Sequence, residues 1–172
     1  MPDVATVSAQ DYADEYGIDL DADGYLPPGF RGKYKEPFVY TVNFLPIAGA
    51  SGVLSATTNI NNDSWFACVA QTALIVDSAT HNTTFTAPTV AAILISLGDS
   101  SSGKQMCDAP VHIALWFGTA LQPFVWLRRA RLYRGGGQIQ VSAQNVMAAS
   151  QDLRLAFIGF KIYAMPDIEA QM

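Results

Sequence analysis

Residues 110–163 constrain the fold more than any other stretch of the chain. Two apolar blocks, PVHIALWFGTALQPFVWL and LRLAFIGFKIY, flank an arginine-dense turn and the ladder GGGQIQVSAQN. Within the ladder, Gln138-Ile139-Gln140-Val141-Ser142 alternates strictly, and Leu153, Leu155 and Phe157 alternate with Arg154 and Ala156. A period of two puts successive side chains on opposite faces of a strand, so both stretches read as β. Gly159 interrupts the last block. Glycine inside an apolar strand marks a bulge or the close approach of another backbone, and a run this apolar belongs to a central strand.

The same pattern extends upstream. Phe38, Tyr40, Val42 and Phe44 alternate with Val39, Thr41, Asn43 and Leu45, a strand with both faces partly covered that Pro46 is expected to stop. Shorter candidates follow at 53–57, 64–76 (long enough for a bent strand or a hairpin), 82–86 and 91–97. Their separators, AGASG, NINND, DSATHN and GDSSSGK, are rich in turn formers. Helix formers gather only at 126–133 and 145–152, both short and poorly amphipathic. Seven or eight short strands joined this way predict an all-β fold, an antiparallel β-sandwich with jelly-roll connectivity.

At 172 residues, with half of them apolar and nineteen aromatic, the chain can bury one sizeable core. The expected division is an extended arm at 1–36, a sandwich at 37–164 and a short tail at 165–172. Only 15% of the residues are charged. So little charge leaves apolar surface to be covered by other copies or partners, and a homo-oligomer is expected.

Charge divides the chain in the same place. Residues 1–36 hold eight acids against three bases, while the remainder holds seven of each. The whole net charge of −5 therefore lies in the arm, which argues against nucleic acid as the main ligand. No basic start followed by an apolar run, and no stretch of about 18 apolar residues, marks a leader or a membrane span. A soluble protein made in the cytoplasm is expected. Cys68 and Cys107 lack metal-type spacing and read as small buried hydrophobes.

Candidate chemistry is sparse. Asp19, Asp21 and Asp23, followed by Gly24, reproduce the first half of a calcium loop, in which alternate carboxylates converge on one cation. Phe30 stands where the closing glutamate belongs, and Pro27-Pro28 forbids the following helix, so an acidic solvated turn is the better reading and no metal or cofactor is assigned. His81 and His112 lie in separate segments with no carboxylate beside them. Residues 100–104, SSSGK, have the wrong glycine spacing for a phosphate loop and read as a hairpin turn. With no nucleophile elbow, metal-binding helix or carboxylate pair, no enzyme is predicted.

The Arg128, Arg129, Arg131 and Arg134 cluster, flanked by Trp126 and Tyr133, is the candidate contact surface. If it forms a loop or edge strand, the guanidinium forks suit carboxylates of another subunit and the aromatics supply anchors. Asp11, Asp14 and Glu15 of the arm are the candidate counterparts. Trp65, Trp116 and Trp126 also offer stacking faces for a sugar, although tryptophans in apolar runs more often belong to a core.

Pro110-Val111-His112, Phe117-Gly118-Thr119, Gln122-Pro123-Phe124, Arg131-Leu132, Gly136-Gly137-Gln138-Ile139, Asn145 and the closing 154–161 run RLAFIGFK together resemble small virion proteins of tailed bacteriophages. The similarity covers about 55 residues. It implies a jelly-roll or sandwich protein at the capsid surface that binds the major capsid protein as a cement or decoration protein, with a collar, neck or tail component as one alternative. A carbohydrate-binding module for host attachment is the alternative from another class.

Overall fold

The structure, a computed structural model, describes residues 26–30, 33–79, 93–119 and 122–163. The strand expected at 82–86, His81, the calcium-like aspartates and Asp11, Asp14 and Glu15 lie outside the described residues. Nine strands span the rest: β1 (Lys35–Ile47), β2 (Gly52–Asn59), β3 (Ser64–Asp77), β4 (Ile93–Asp99), β5 (Lys104–Gln105), β6 (Val111–His112), β7 (Val125–Tyr133), β8 (Gln138–Asn145) and β9 (Gln151–Tyr163). One helical turn, α1 (Ala114–Phe117), interrupts them.

Strand β9 organises the first sheet, whose order is β1-β9-β3-β7. It is paired antiparallel on both sides, to β1 from Lys35↔Ile162 to Ile47↔Gln151 and to β3 from Ser64↔Tyr163 to Asp77↔Gln151. The second sheet runs β2-β8-β4-β5, with β6 also on β4. The chain pairs from its ends inward: β1 with β9, β2 with β8, β3 with β7, and β4 with β5 and β6. Two antiparallel sheets packed face to face make the protein an all-β sandwich.

The two sheets contribute different side chains to the core between them. Tyr40, Phe44, Phe66, Tyr133 and Phe157 come from the first; Ile93, Ile95, Leu97, Ile139 and Val141 come from the second. Aromatic contacts cross the first sheet, from Phe38 to Tyr40 at 4.7 Å, Tyr40 to Phe66 at 4.8 Å and Phe66 to Tyr133 at 6.2 Å between ring centroids. Such pairs add about 0.5–1.5 kcal/mol each beyond the area they bury.

The outer face of the first sheet is also apolar. Ala67, Val69, Ala70, Phe160 and Ile162 pack there against Leu26 and Phe30, with Ala130 and Leu132 of β7 at the border. The stretch expected to end the arm therefore lies on the sheet, where Phe30 meets Trp65 edge-on at 5.1 Å. This explains why β3 and β9 read as continuous apolar runs: they are covered on both faces.

Several expectations need correction. Pro46 does not end β1, which continues to Ile47 after a register shift beyond Phe44. Because β1 is an edge strand of its sheet, a missing N–H there costs no ladder bond. Residues 126–133 are strand, and 145–152 run from the end of β8 through a bend at 147–149 into β9, so neither helix-former window is helical. Tertiary pairing outweighs their weak propensity. Of the two readings of residues 64–76, the bent strand is the one formed, with a bulge at Val69 where neighbouring registers skip from Cys68 to Ala70. Cys107 is only half-buried.

Two devices fix the registers. Gly159 stands opposite Cys68, beside the bulge, and a Cβ there would overlap the Ala67 carbonyl oxygen. Asn145, fully buried, donates from Nδ2 to the Ile47 and Ala149 carbonyls at 3.2 and 2.9 Å and accepts the Met147 N–H at 3.0 Å, tying the β8–β9 bend to the end of β1. Substituting Gly159→Ala is expected to cost about 3 kcal/mol or more, since neither backbone can retreat without breaking a ladder. Urea unfolding of the variant measures it.

The β4–β5 turn carries a titratable contribution. Burial alone would raise the Asp99 carboxyl, but hydrogen bonds from the Ser102 and Ser101 hydroxyls and from their backbone N–H groups outweigh it and lower the pKa. A carboxylate with a lowered folded pKa stabilises above its unfolded value and loses that contribution as pH falls through the folded one. Stability is therefore expected to decline below about pH 4 with a component that Asp99→Asn removes. Unfolding midpoints measured across that range for both proteins check it.

Candidate functional site

Strand β7 is the far edge of the first sheet, and its pairing with β3 is broken. Tyr133, Leu132 and Arg131 pair with Phe66, Ala67 and Cys68, after which the register jumps to Trp126↔Ala70. Residues 127–130 thus stand opposite the single residue Val69. An excess of this kind cannot stay in the ladder, and the backbone bends outward. Arg128 and Arg129 lie on that bend and are exposed, as is Arg134 at the strand's end. Trp126 is 45% exposed and Phe124 43%.

The other two members of the candidate cluster go elsewhere. Tyr133 is 1% exposed, inside the inter-sheet core, with its hydroxyl donating to Met106 Sδ at 3.8 Å. Burial drives its pKa upward. It cannot anchor a second chain, and the reason is alternation: Leu132 takes the outer face, so Tyr133 must take the inner one. Arg131 turns inward too, its guanidinium 5.0 Å from the centroid of the Trp116 ring. The surface part of the cluster is therefore Trp126, Arg128, Arg129 and Arg134.

This surface lies beside the docked N-terminal segment. Leu26 shares one apolar cluster with Ala130 and Leu132 of β7. Sequence reasoning named the arginines; it had no signal for the apolar cluster that joins Leu26 to β7.

A second surface went unpredicted. On the outer face of the second sheet, Ser55, Ser142 and Ser96 are register partners across β2, β8 and β4, and Thr57, Gln140 and Gly98 form the next row. Together with residues 107–110 they line a groove of about 430 Å³. Its chemistry is neutral hydrogen bonding plus the Asp108 carboxylate. None of the three tryptophans lines it: Trp65 meets Phe30, Trp116 underlies Arg131, and Trp126 is on β7.

Among the described residues no group of three or more His, Cys, Asp or Glu side chains could hold a metal ion, and no helix is long and apolar enough to cross a membrane. His112 accepts the Ala114 N–H at Nδ1, 3.2 Å, and so shapes the start of α1. Cys68 is buried, its thiol pushed up to about 12 by desolvation, partly offset by Arg131. No family model matches the sequence, and no curated protein matches it.

The split of the cluster between surface and core makes opposite predictions for its members. Arg128→Ala with Arg129→Ala is expected to shift stability by no more than about 0.5 kcal/mol. Tyr133→Ala is expected to cost about 3–5 kcal/mol. Chemical denaturation of the two variants distinguishes them.

Proposed function

We propose that this protein is a non-enzymatic virion structural protein, a jelly-roll sandwich that binds a phage capsid as a cement or decoration protein. The observation that supports it is the pairing of the chain from its ends inward. Nested pairing over two sheets is what a jelly roll would give, and jelly rolls recur in viral shells, so it supports that reading. The resemblance of residues 110–161 to small phage virion proteins points the same way.

In this reading the exposed arginine bend and the acidic residues before Leu26 form the contact between subunits. The arm crosses from one copy to Arg128, Arg129 and Arg134 of the next, and an extended 25-residue segment reaches up to about 80–90 Å. Each pair is weak, roughly 0.2–1 kcal/mol, yet symmetry repeats it over the whole shell. The partners are further copies of the chain and the major capsid protein.

The polar groove favours one second reading, a carbohydrate-binding module for host attachment, because its serine, threonine and glutamine side chains suit sugar hydroxyls. Glycan binding abolished by Gln140→Ala would favour that reading.

The combined reversal Arg128→Glu, Arg129→Glu, Arg134→Glu is expected to weaken capsid binding about tenfold or more at low salt while leaving the fold intact. Compensating reversal of Asp11, Asp14 and Glu15 to Lys is expected to restore it. Sedimentation of the proteins with capsids measures both; unchanged binding by the arginine variant defeats the pairing, and failure of the wild type to bind capsids defeats the cement reading.

A further inference from the structure

The outer edge of β2 is an open row of backbone groups. Among the described residues β2 has a neighbouring strand on one side only, β8. The Ile60 N–H donates to the Gly137 carbonyl at 2.9 Å, and from there the register runs unshifted to Gly52↔Asn145. Bonded pairs recur at every second residue of an antiparallel ladder, so Thr58, Ala56 and Leu54 direct their N–H and C=O groups to β8. Val53, Ser55, Thr57 and Asn59 direct theirs to the open side. Their side chains take the outer face, where Ser55 and Thr57 line the groove, while Ala56 packs on the core.

Nothing along this row turns a strand away. β2 has eight residues, none of them charged and none proline. Val53 and Leu54 are 57% and 41% exposed beside it. One antiparallel register of two such edges pairs every outward residue of both copies: Val53 opposite Asn59 of the second copy and Ser55 opposite Thr57 of the second copy, about a two-fold axis at Ala56. Any other register leaves outward groups at one end unpaired. In this one the small Ala56 side chains meet at the axis, hydroxyls face hydroxyls, which is a favourable cross-strand pair, and no like charges are opposed.

We propose that β2 is a dimerisation edge and that its occupant is β2 of a second copy, paired antiparallel about Ala56. A foreign strand would satisfy one edge. An isologous pair satisfies the plain edge of both partners at once and then stops, because the other described edges are blunted by proline, by arginines or by interruption. The two copies of the second sheet become one, and the row Ser96, Ser142 and Ser55 of one copy continues into Thr57, Gln140 and Gly98 of the second copy. The grooves of the two copies then lie on one continuous face. The inference rests on this edge and not on the capsid reading.

Sedimentation equilibrium of the full chain, without capsids, tests it over about 1–200 µM, because an edge contact alone is smaller than a standard interface and micromolar association is the expectation. The wild type is expected to form dimers. Thr57→Pro removes an outward N–H and no bond to β8, so it is expected to keep the fold and weaken the dimer about tenfold or more. Ser55→Lys with Thr57→Lys sets lysine against lysine across the axis and is expected to give monomers, as is Ser55→Glu with Thr57→Glu; mixing the two proteins is expected to restore a dimer. A wild type that stays monomeric, or charged variants that do not recombine, overturns the proposal. So does a dimer that survives Thr57→Pro and dissociates on Arg128→Glu with Arg129→Glu, which would put the contact between copies at the arginine bend.

Discussion

The sandwich depends on one strand being held from both sides. β9 pairs with β1 and β3 over nearly its whole length, so the last strand lies between the first and the third in one sheet. Every other pairing is nested inside that one. Non-local ladders of this kind must close long loops before they return any stabilisation, which makes the β1–β9–β3 contact the costly step and the one that needs unambiguous register. Gly159 and the Val69 bulge supply it: the only residue without a Cβ in β9 sits where the backbone of β3 comes closest. Lys161 adds a second marker two residues on, buried with its ammonium 3.8 Å from the centroid of the Phe38 ring.

That arrangement decides where the chain can meet other molecules. With both faces of β3 and β9 covered, the first sheet has little of its centre to offer; its outer face is occupied by Leu26 and Phe30. What remains is its borders. On β7 the three-residue excess opposite Val69 turns two arginines outward, and the same bend brings Arg131 back inside, so one irregularity produces both the exposed charge and the buried one.

Much of this was legible in the chain. Strict alternation located β8 and β9, and the interruption at Gly159 announced a close backbone contact before any partner was known. The hairpin at residues 100–104 followed from its serines and glycine. Other parts were not legible, for identifiable reasons. The apolar run around Trp116 hides a helical turn, because four residues are too few for a 3.6-residue period to show. Tyr133 looked like a surface aromatic beside arginines, and only the strand's phase, set by pairing with Phe66, sends it inward. The serine row across β2, β8 and β4 is a product of register between strands far apart in sequence, which no local pattern encodes.

Sheet edges complete the picture, since an unpaired edge invites open-ended association. β7 is blunted by its bend and its arginines, and β1 carries Pro37 and Pro46 near its ends. The edge along β4 is broken into two-residue pieces, β5 and β6, separated by residues 106–110. β2 has none of these devices: it is eight residues long, without proline or charge, and it exposes Val53, Leu54 and Ser55. Among the described residues, three edges are protected and the fourth is left plain on one side of the sandwich. That side adjoins the serine groove, on the sheet opposite the arginine bend, so two unlike surfaces face away from each other across one core.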